Sequence, residues 1–223
     1  MGYLETAVVV YLRAIYYPNG FDFPLVNMDA TIALTELGRE AATIIMLAGI
    51  GVLSGKNPTQ RFAFFLYSFA IWDIFYYVFL KLLLNWPESL LTWDILFLIP
   101  LPWVGPVICP CIISISMLLL AVLLVYFNEK NPSLKINSKE WLFFITGSIV
   151  VILSFIIDCY EYIMSYHPAN PSPIGEGQGV GPAISHYIPL HFDWWIFWLG
   201  EMFILTAIFM FSFRAKSVIL STK

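Results

Sequence analysis

Long apolar stretches alternate with short polar ones along most of the chain. Five stretches reach the roughly 20 residues that a helix needs to cross a bilayer; they cover about 32–54, 62–84, 106–127, 141–165 and 192–213. A sixth, about 2–17, reaches only roughly 24 Å at ~1.5 Å per residue, so it spans only with snorkelling or local thinning of the bilayer. The pattern predicts an all-α, polytopic integral membrane protein, a six-helix transmembrane bundle in a single domain over 1–223. An interfacial first helix is the alternative.

Composition supports lipid as the solvent. Apolar residues make up 60% of the chain and charged residues 12%, about half the charged fraction of a soluble domain. No basic run points to nucleic acid, so the lipid bilayer is the main expected partner. Glu5 and Arg13 interrupt the first apolar stretch, so we expect it to be retained rather than cleaved as a signal peptide.

Lysine and arginine gather in alternate loops, which predicts the orientation. The loops 18–31, 85–105 and 166–191 contain neither residue. The other loops and the C-terminal tail contain Lys56, Arg61, Lys130, Lys135, Lys139, Arg214, Lys216 and Lys223. By the positive-inside rule, both termini are predicted to be cytoplasmic. The expected location is the plasma (inner) membrane.

A proline-rich segment precedes the fourth long helix. Residues 85–111 contain five prolines, and each removes a backbone donor and breaks a helix. We predict a broken segment: a short re-entrant or interfacial helix over 90–99, then an extended turn. Backbone freed at membrane depth must line a cavity or lie buried in protein, so Asp94 and Trp103 are expected near the mouth of a site. A plain interfacial hairpin is the alternative.

Ionisable residues inside the spans are the strongest functional signal. A charge at the bilayer centre costs at least ~2.5–3.5 kcal/mol, so such groups should face the bundle interior and pair. Asp73 and Glu201 are the deepest, and we expect them to form the floor of an outward-facing cavity. The other expected members lie in the outer halves of the helices: Glu36, Arg39, Glu40, Asp158, Glu161, Arg13 and Lys81.

Charge balance suggests what this cavity would handle. Six of these residues are acids and three are bases, so some acids should be protonated unless cations bind. We therefore predict a site for protons, a cation or a polar ligand. An ion-pair network that only fixes helix packing is the alternative. Gly200, next to Glu201, should let a neighbouring backbone approach closely.

Metal and redox signals are weaker. Cys109 and Cys111 flank a proline, and all three histidines, His167, His186 and His191, fall on the outer side. These five residues are the alternative metal ligands, because thiolate and imidazole suit soft or transition metals. Cys159 could form a disulfide with one of the pair, but inert buried thiols are favoured. No histidine lies deep in a span, which argues against a haem held across the bundle, and the sequence assigns no cofactor.

The sequence does not decide between classes of activity. No serine–histidine–acid, HExxH, P-loop or EF-hand pattern is present, so enzymatic activity is left open. One alternative is an accessory subunit of a larger complex, respiratory or quinone-linked, with membrane-protein partners or further copies of itself. The other is a membrane enzyme that acts on lipid or quinone.

Overall fold

The computed structural model describes residues 1–26, 28–99, 101–165 and 186–221. Within these ranges the chain forms six helices and one two-stranded sheet. In chain order they are α1 (Gly2–Tyr16), α2 (Ala30–Ser54), α3 (Pro58–Leu84), β1 (Trp93–Phe97), β2 (Trp103–Pro106), α4 (Ile108–Lys130), α5 (Ser138–Ser165) and α6 (Trp194–Ser221).

The five predicted long apolar helices are confirmed. Each of α2 to α6 is long and apolar enough to cross a membrane. Large apolar side chains on their outer faces, such as Leu53 (89% exposed) and Phe209 (70%), suit contact with lipid rather than water. Helix α1 is present but has only 15 residues, so the sixth span, and with it the exact six-span bundle, stays a prediction.

Polar side chains cap the first turns of α2 and α3. The Asp29 carboxylate accepts a hydrogen bond from the Thr31 amide at 2.8 Å and caps α2. The Asn57 side chain accepts from the Gln60 amide at 3.1 Å and caps α3, with Pro58 at the first position. Such caps satisfy amides that the first turn leaves without a partner.

Helix α3 lies at the centre of one half of the bundle. Helices α1, α2 and α4 pack against α3. Helix α6 packs against both α4 and α5. We call the end of the bundle at Leu84, which holds the two strands, the hairpin end, and the end at Pro58 the far end.

Helix α1 covers only part of the length of α3. A Cβ added at Gly2 would lie 3.1 Å from the carbonyl oxygen of Trp72, which is near the middle of α3. At the other end of α1, the guanidinium carbon of Arg13 lies 3.8 Å from the centroid of the Trp86 ring. The two helices therefore run in the same direction, and α1 starts about halfway along its neighbour.

Helices α5 and α6 approach each other most closely through two glycines. A Cβ added at Gly147 would lie 2.7 Å from the carbonyl oxygen of Gly200, and one at Gly200 would lie 2.8 Å from that of Gly147. Small residues of this kind allow helix backbones to touch in a membrane. The prediction that Gly200 permits such an approach is confirmed.

The prediction of a short helix over 90–99 was wrong. Strands β1 and β2 pair antiparallel, with Trp93 opposite Pro106 and Asp94 opposite Gly105. Strand β1 contains Trp93, Ile95 and Phe97, which favour strands, and the prolines that follow it exclude a helical continuation. A hairpin satisfies the backbone of both short segments with each other.

The hairpin packs against α5, which corrects the expected place of Trp103. The Trp103 ring stacks on Phe155, with ring centroids 6.3 Å apart and planes 13° apart. A Cβ added at Gly105 would lie 2.8 Å from the same Phe155 ring. Trp103 is thus part of the apolar core between the hairpin and α5 rather than part of the mouth of a site.

Candidate functional site

A cavity of about 340 Å³ lies between α1 and α2 at the hairpin end. Helix α3, the hairpin and the connection from α1 to α2 complete its wall. Apolar side chains form most of the lining. The charged and tyrosine residues of the lining are Glu5, Arg13, Tyr17, Glu36, Arg39, Glu40, Asp73, Tyr76, Tyr77 and Asp94. Three helices and the hairpin thus bring polar groups to one space, as small-molecule sites in proteins do.

Arg39 holds two carboxylates on one side of the cavity. Its Nε donates to Glu36 Oε2 at 2.8 Å, and its Nη1 donates to Glu5 Oε1. The predicted ion pair along α2 is therefore present, and it is extended by a residue that the sequence reasoning missed. A cytoplasmic N-terminus, as the positive-inside rule predicts, implies that Glu5 lies near the cytoplasmic surface, away from the site. Since α1 starts halfway along α3, its first turn reaches the depth of Arg39.

Arg13 and Asp94 form the second charged group of the cavity. Arg13 Nη2 lies 3.8 Å from Asp94 Oδ1, and its guanidinium carbon lies 4.6 Å from the ring centroid of Phe21. The Tyr77 hydroxyl donates to Asp94 Oδ2 at 3.2 Å. Asp94 is only 3% exposed, so it lies in the wall rather than at the mouth. Burial raises the pKa of Asp94 to about 7, although Arg13 and the Tyr77 hydroxyl act against the rise.

Two further carboxylates have no basic partner. No lysine or arginine nitrogen of the described residues lies within 4 Å of Glu40 or Asp73. The Glu40 carboxylate accepts a hydrogen bond from the backbone amide of Leu98, at 3.1 and 3.2 Å to its two oxygens. The Asp73 carboxylate accepts from the Ser114 hydroxyl at 2.7 Å. Each acid thus has a neutral donor instead of a counter-ion.

Glu201 and Asp158 lie apart from this cavity. Glu201 is 1% exposed between α4 and α6, where it accepts a hydrogen bond from the Ser116 hydroxyl. Its other carboxylate oxygen has no partner among the described residues. Asp158 accepts a hydrogen bond from the buried Tyr187 hydroxyl. Burial and this carboxylate raise the pKa of Tyr187.

Glu161 and Lys81 also lie outside the cavity. Glu161 is exposed on α5. Lys81 is exposed near the end of α3, where its Nζ donates to the carbonyl oxygens of Asn85 and Pro87 at 3.3 and 2.9 Å. Of the nine residues expected in the site, the structure therefore brings five together. They are Arg13, Glu36, Arg39, Glu40 and Asp73.

The cysteines and histidines do not form a metal centre in the described part of the chain. Cys109, Cys111 and Cys159 are free thiols, so the disulfide considered from the sequence is not formed. The described His, Cys, Asp and Glu residues contain no group of three or more that could hold a metal ion. His191 lies 3.6 Å from Asp193. His167 lies outside the described residues.

A buried ion pair at the far end was not predicted. Arg214 Nε and Nη2 donate to the two oxygens of Glu140 at 2.7 and 2.8 Å, and Nη2 also donates to the Lys135 carbonyl at 2.7 Å. Glu140 in turn shares a reciprocal capping arrangement with Asn137, which fixes the start of α5. In the sequence, Arg214 and Lys135 counted only towards orientation, and no pattern there singles out Glu140 as the partner of Arg214. The pair ties α5 to α6 and is remote from the cavity.

No protein-family model, curated protein or solved structure matches this chain. What the cavity can do therefore follows from its own residues. It contains five carboxyl groups, those of Glu5, Glu36, Glu40, Asp73 and Asp94, against the guanidiniums of Arg13 and Arg39. Five acids against two bases leave an excess of three negative charges when all are ionised. Such a space attracts protons and cations and repels anions.

Proposed function

We propose that this integral membrane protein uses the cavity between α1 and α2 to bind a small cation or polar ligand, with protons exchanging at its carboxyl groups. The observation that carries the proposal is the pair of carboxylates, Glu40 and Asp73, that share the cavity and have no basic partner in the described part of the chain. A network that served packing alone would match its buried acids with bases, because an uncompensated charge is costly in lipid.

The cavity that gathers the carboxyl groups lies at the hairpin end of the bundle. A second space, of about 330 Å³ between α3 and α4 towards the far end, is lined mainly by apolar side chains, with Glu129 as its one charged residue. At the far end, the space between α3, α4, α5 and α6 is filled by a core that includes Leu66, Leu124, Phe127, Phe144 and Phe211. A route through a single copy would need polar groups in both halves of the membrane. The one-ended arrangement supports binding from, or exchange with, one side.

We further propose that the open side is the non-cytoplasmic one. The lysines and arginines of the long-helix connections gather at the far end, at Lys56, Arg61, Lys130 and Lys135. The positive-inside rule then puts the far end in the cytoplasm. The accessory-subunit and lipid- or quinone-enzyme alternatives have no observation in the described residues that favours them.

Thiol chemistry from one side of the membrane tests both the cavity and its charge. Leu12 lines the cavity without carrying charge, so Leu12→Cys keeps the carboxyl groups intact. We would place it in a background with the three native cysteines replaced by alanine. When each rate is divided by the rate of the same reagent with a free thiol in solution, a cationic trimethylammonium thiosulfonate applied to the outside of cells should react at least about tenfold faster than the anionic sulfonate reagent.

Two controls make the result decisive. Ser54→Cys lies at the exposed far end, so it should react only in inside-out vesicles. Adding Asp73→Asn and Glu40→Gln to Leu12→Cys should reduce the preference for the cationic reagent. Equal normalised rates for the two reagents, or reaction of Leu12→Cys only from the cytoplasmic side, would contradict the proposal.

A further inference from the structure

We infer that the occupant of this cavity is an organic ammonium ion on an apolar body, held by Asp73 and Glu40 and by the aromatic rings of α3. The inference rests on the proposed function and names its ligand class. Charge, size and the chemistry of the wall each narrow the choice.

The charges of the cavity favour a cation. Both guanidiniums already face carboxylates: that of Arg39 donates to Glu5 and Glu36, and that of Arg13 lies 3.8 Å from Asp94. An anion would have to compete with these carboxylates. An ammonium group instead supplies the hydrogen-bond donors that the unpaired carboxylates of Glu40 and Asp73 can still accept.

The size of the space favours an organic ligand over a bare metal ion. At about 340 Å³, the cavity falls within the roughly 300–1,000 Å³ of small-molecule pockets. A hard cation needs six or more oxygen ligands at short range. The described carboxylates do not gather in a group of three that could supply them.

The wall beside Asp73 is aromatic. Trp72, Tyr76 and Tyr77 flank it on α3, and all three line the cavity. A cation placed over such rings is attracted by their quadrupole, more strongly when water is excluded. A cation–π contact of this kind is already present beside the cavity, where the guanidinium carbon of Arg13 lies 3.8 Å from the Trp86 ring centroid.

The rest of the wall suits an apolar body. Its aliphatic side chains come from α1, the following connection and the hairpin: Val9, Leu12, Leu25, Val26, Met28, Ile95, Leu96 and Leu98. A small hydrophilic ammonium would leave this surface uncovered. A ligand that joins an ammonium group to an aryl or alkyl group would cover it and gain from burial.

Three probes with one shared body isolate the contribution of charge. Phenethylammonium, 2-phenylethanol and 3-phenylpropionate present the same aryl group with positive, neutral and negative ends. We would measure the thermal midpoint of the full chain in nanodiscs against each probe, and against Na⁺ and Ca²⁺. Only phenethylammonium should raise the midpoint in a saturable way, because a ligand stabilises the folded state to which it binds.

Two pairs of variants locate the effect. Asp73→Asn keeps an acceptor for Ser114 but removes the charge, and it should weaken the apparent affinity for phenethylammonium at least about tenfold. Glu161→Gln makes the same charge change at an exposed position on α5 and should leave the affinity unchanged. Where Asp73→Asn fails to fold, Tyr76→Leu against the exposed Tyr67→Leu replaces it, with the same expected contrast.

The outcomes separate this inference from the proposed function. Equal stabilisation by the alcohol or the acid, saturable stabilisation by Na⁺ or Ca²⁺ alone, or an unchanged affinity in Asp73→Asn would overturn the ammonium assignment. Those results would leave the cavity as a binding site if the thiol at position 12 still favours the cationic reagent from outside. Loss of that preference as well would overturn both.

Discussion

Gly147 of α5 and Gly200 of α6 face each other so closely that neither has room for a methyl group. We predict that Gly147→Ala lowers the free energy of unfolding by roughly 1–3 kcal/mol, because the two backbones must move apart. Gly49→Ala is the matched control: nothing lies within 4 Å of its added Cβ, and alanine favours the helix by roughly 0.5–1 kcal/mol. Thermal unfolding in detergent measures both. Equal effects of the two substitutions would show that the contact is not close.

The Glu140–Arg214 pair gives a second prediction. Glu140→Gln should lower the free energy of unfolding by about 1–3 kcal/mol, because the bidentate charge-assisted bond to Arg214 is lost. The value falls below that of a fully buried pair, since the Arg214 side chain is 33% exposed. Glu129→Gln, at an exposed position on α4, should change it by less than about 0.5 kcal/mol. Denaturant titration of both variants measures the two changes in unfolding free energy. Changes of equal size in Glu140→Gln and Glu129→Gln would refute the prediction.

The hydrogen bond from Ser114 to Asp73 joins two helices, and we expect it to contribute more to stability than a bond from a serine to the backbone of its own helix. Ser114→Ala should cost about 1–2 kcal/mol of unfolding free energy, because the carboxylate is left without its donor. Ser154→Ala is the control, since that hydroxyl donates to the carbonyl of Val151 in its own helix at 2.7 Å. It should cost less than half as much. Equal thermal midpoints for Ser114→Ala and Ser154→Ala would contradict the role given to Ser114.

Asp94 predicts how stability depends on pH. Burial raises its pKa from the ordinary 3.8 to about 7 in the folded protein, so between these values the folded state keeps a proton that the unfolded state releases. This group therefore stabilises the fold most below about pH 4, and the contribution is lost as the pH rises towards 7. The expected loss exceeds about 1 kcal/mol. Unfolding curves at pH 5 and pH 8 measure it.

Asp94→Asn supplies the comparison for that measurement. Asparagine does not titrate, so the variant should lose less stability between pH 5 and pH 8 than the parent protein. Groups remote from Asp94 remain in both proteins and cancel in the difference, whereas Arg13, Tyr77 and Asp73 interact with Asp94 and contribute to the difference together with it. An identical pH dependence of the two proteins would assign the proton to another residue.

The long helices could be predicted because their cause is local. Lipid imposes a minimum apolar length, and the observed α2, α3 and α5 begin and end within a few residues of the predicted stretches. The hairpin could not be predicted in the same way, since a short apolar run between prolines fits several structures. Which structure forms depends on contacts with distant residues: the Leu98 amide, just after β1, donates a hydrogen bond to the Glu40 carboxylate on α2.

The site was predicted in part for a similar reason. Glu36, Arg39 and Glu40 lie on one face of one helix, so their proximity follows from spacing alone. The absence of Glu201 from the cavity depends on which helices α6 packs against, which its sequence does not reveal; it packs against α5 and α4, and neither contributes to the cavity wall. Glu5 was missed because the depth of a short helix depends on where it docks, and here the docking places Gly2 against Trp72.

Helix α4 shows how such an apolar segment keeps a fixed orientation. Ser114 and Ser116 are two positions apart, roughly 200° around the helix axis, and they donate to Asp73 on α3 and to Glu201 on α6. Turning α4 about its long axis would break both bonds at once and leave two acids bare in hydrocarbon. Lipid contacts every apolar face of a helix equally well and therefore does not fix its rotation. The two hydroxyls on opposite faces of α4 set the rotation of this helix about its own axis.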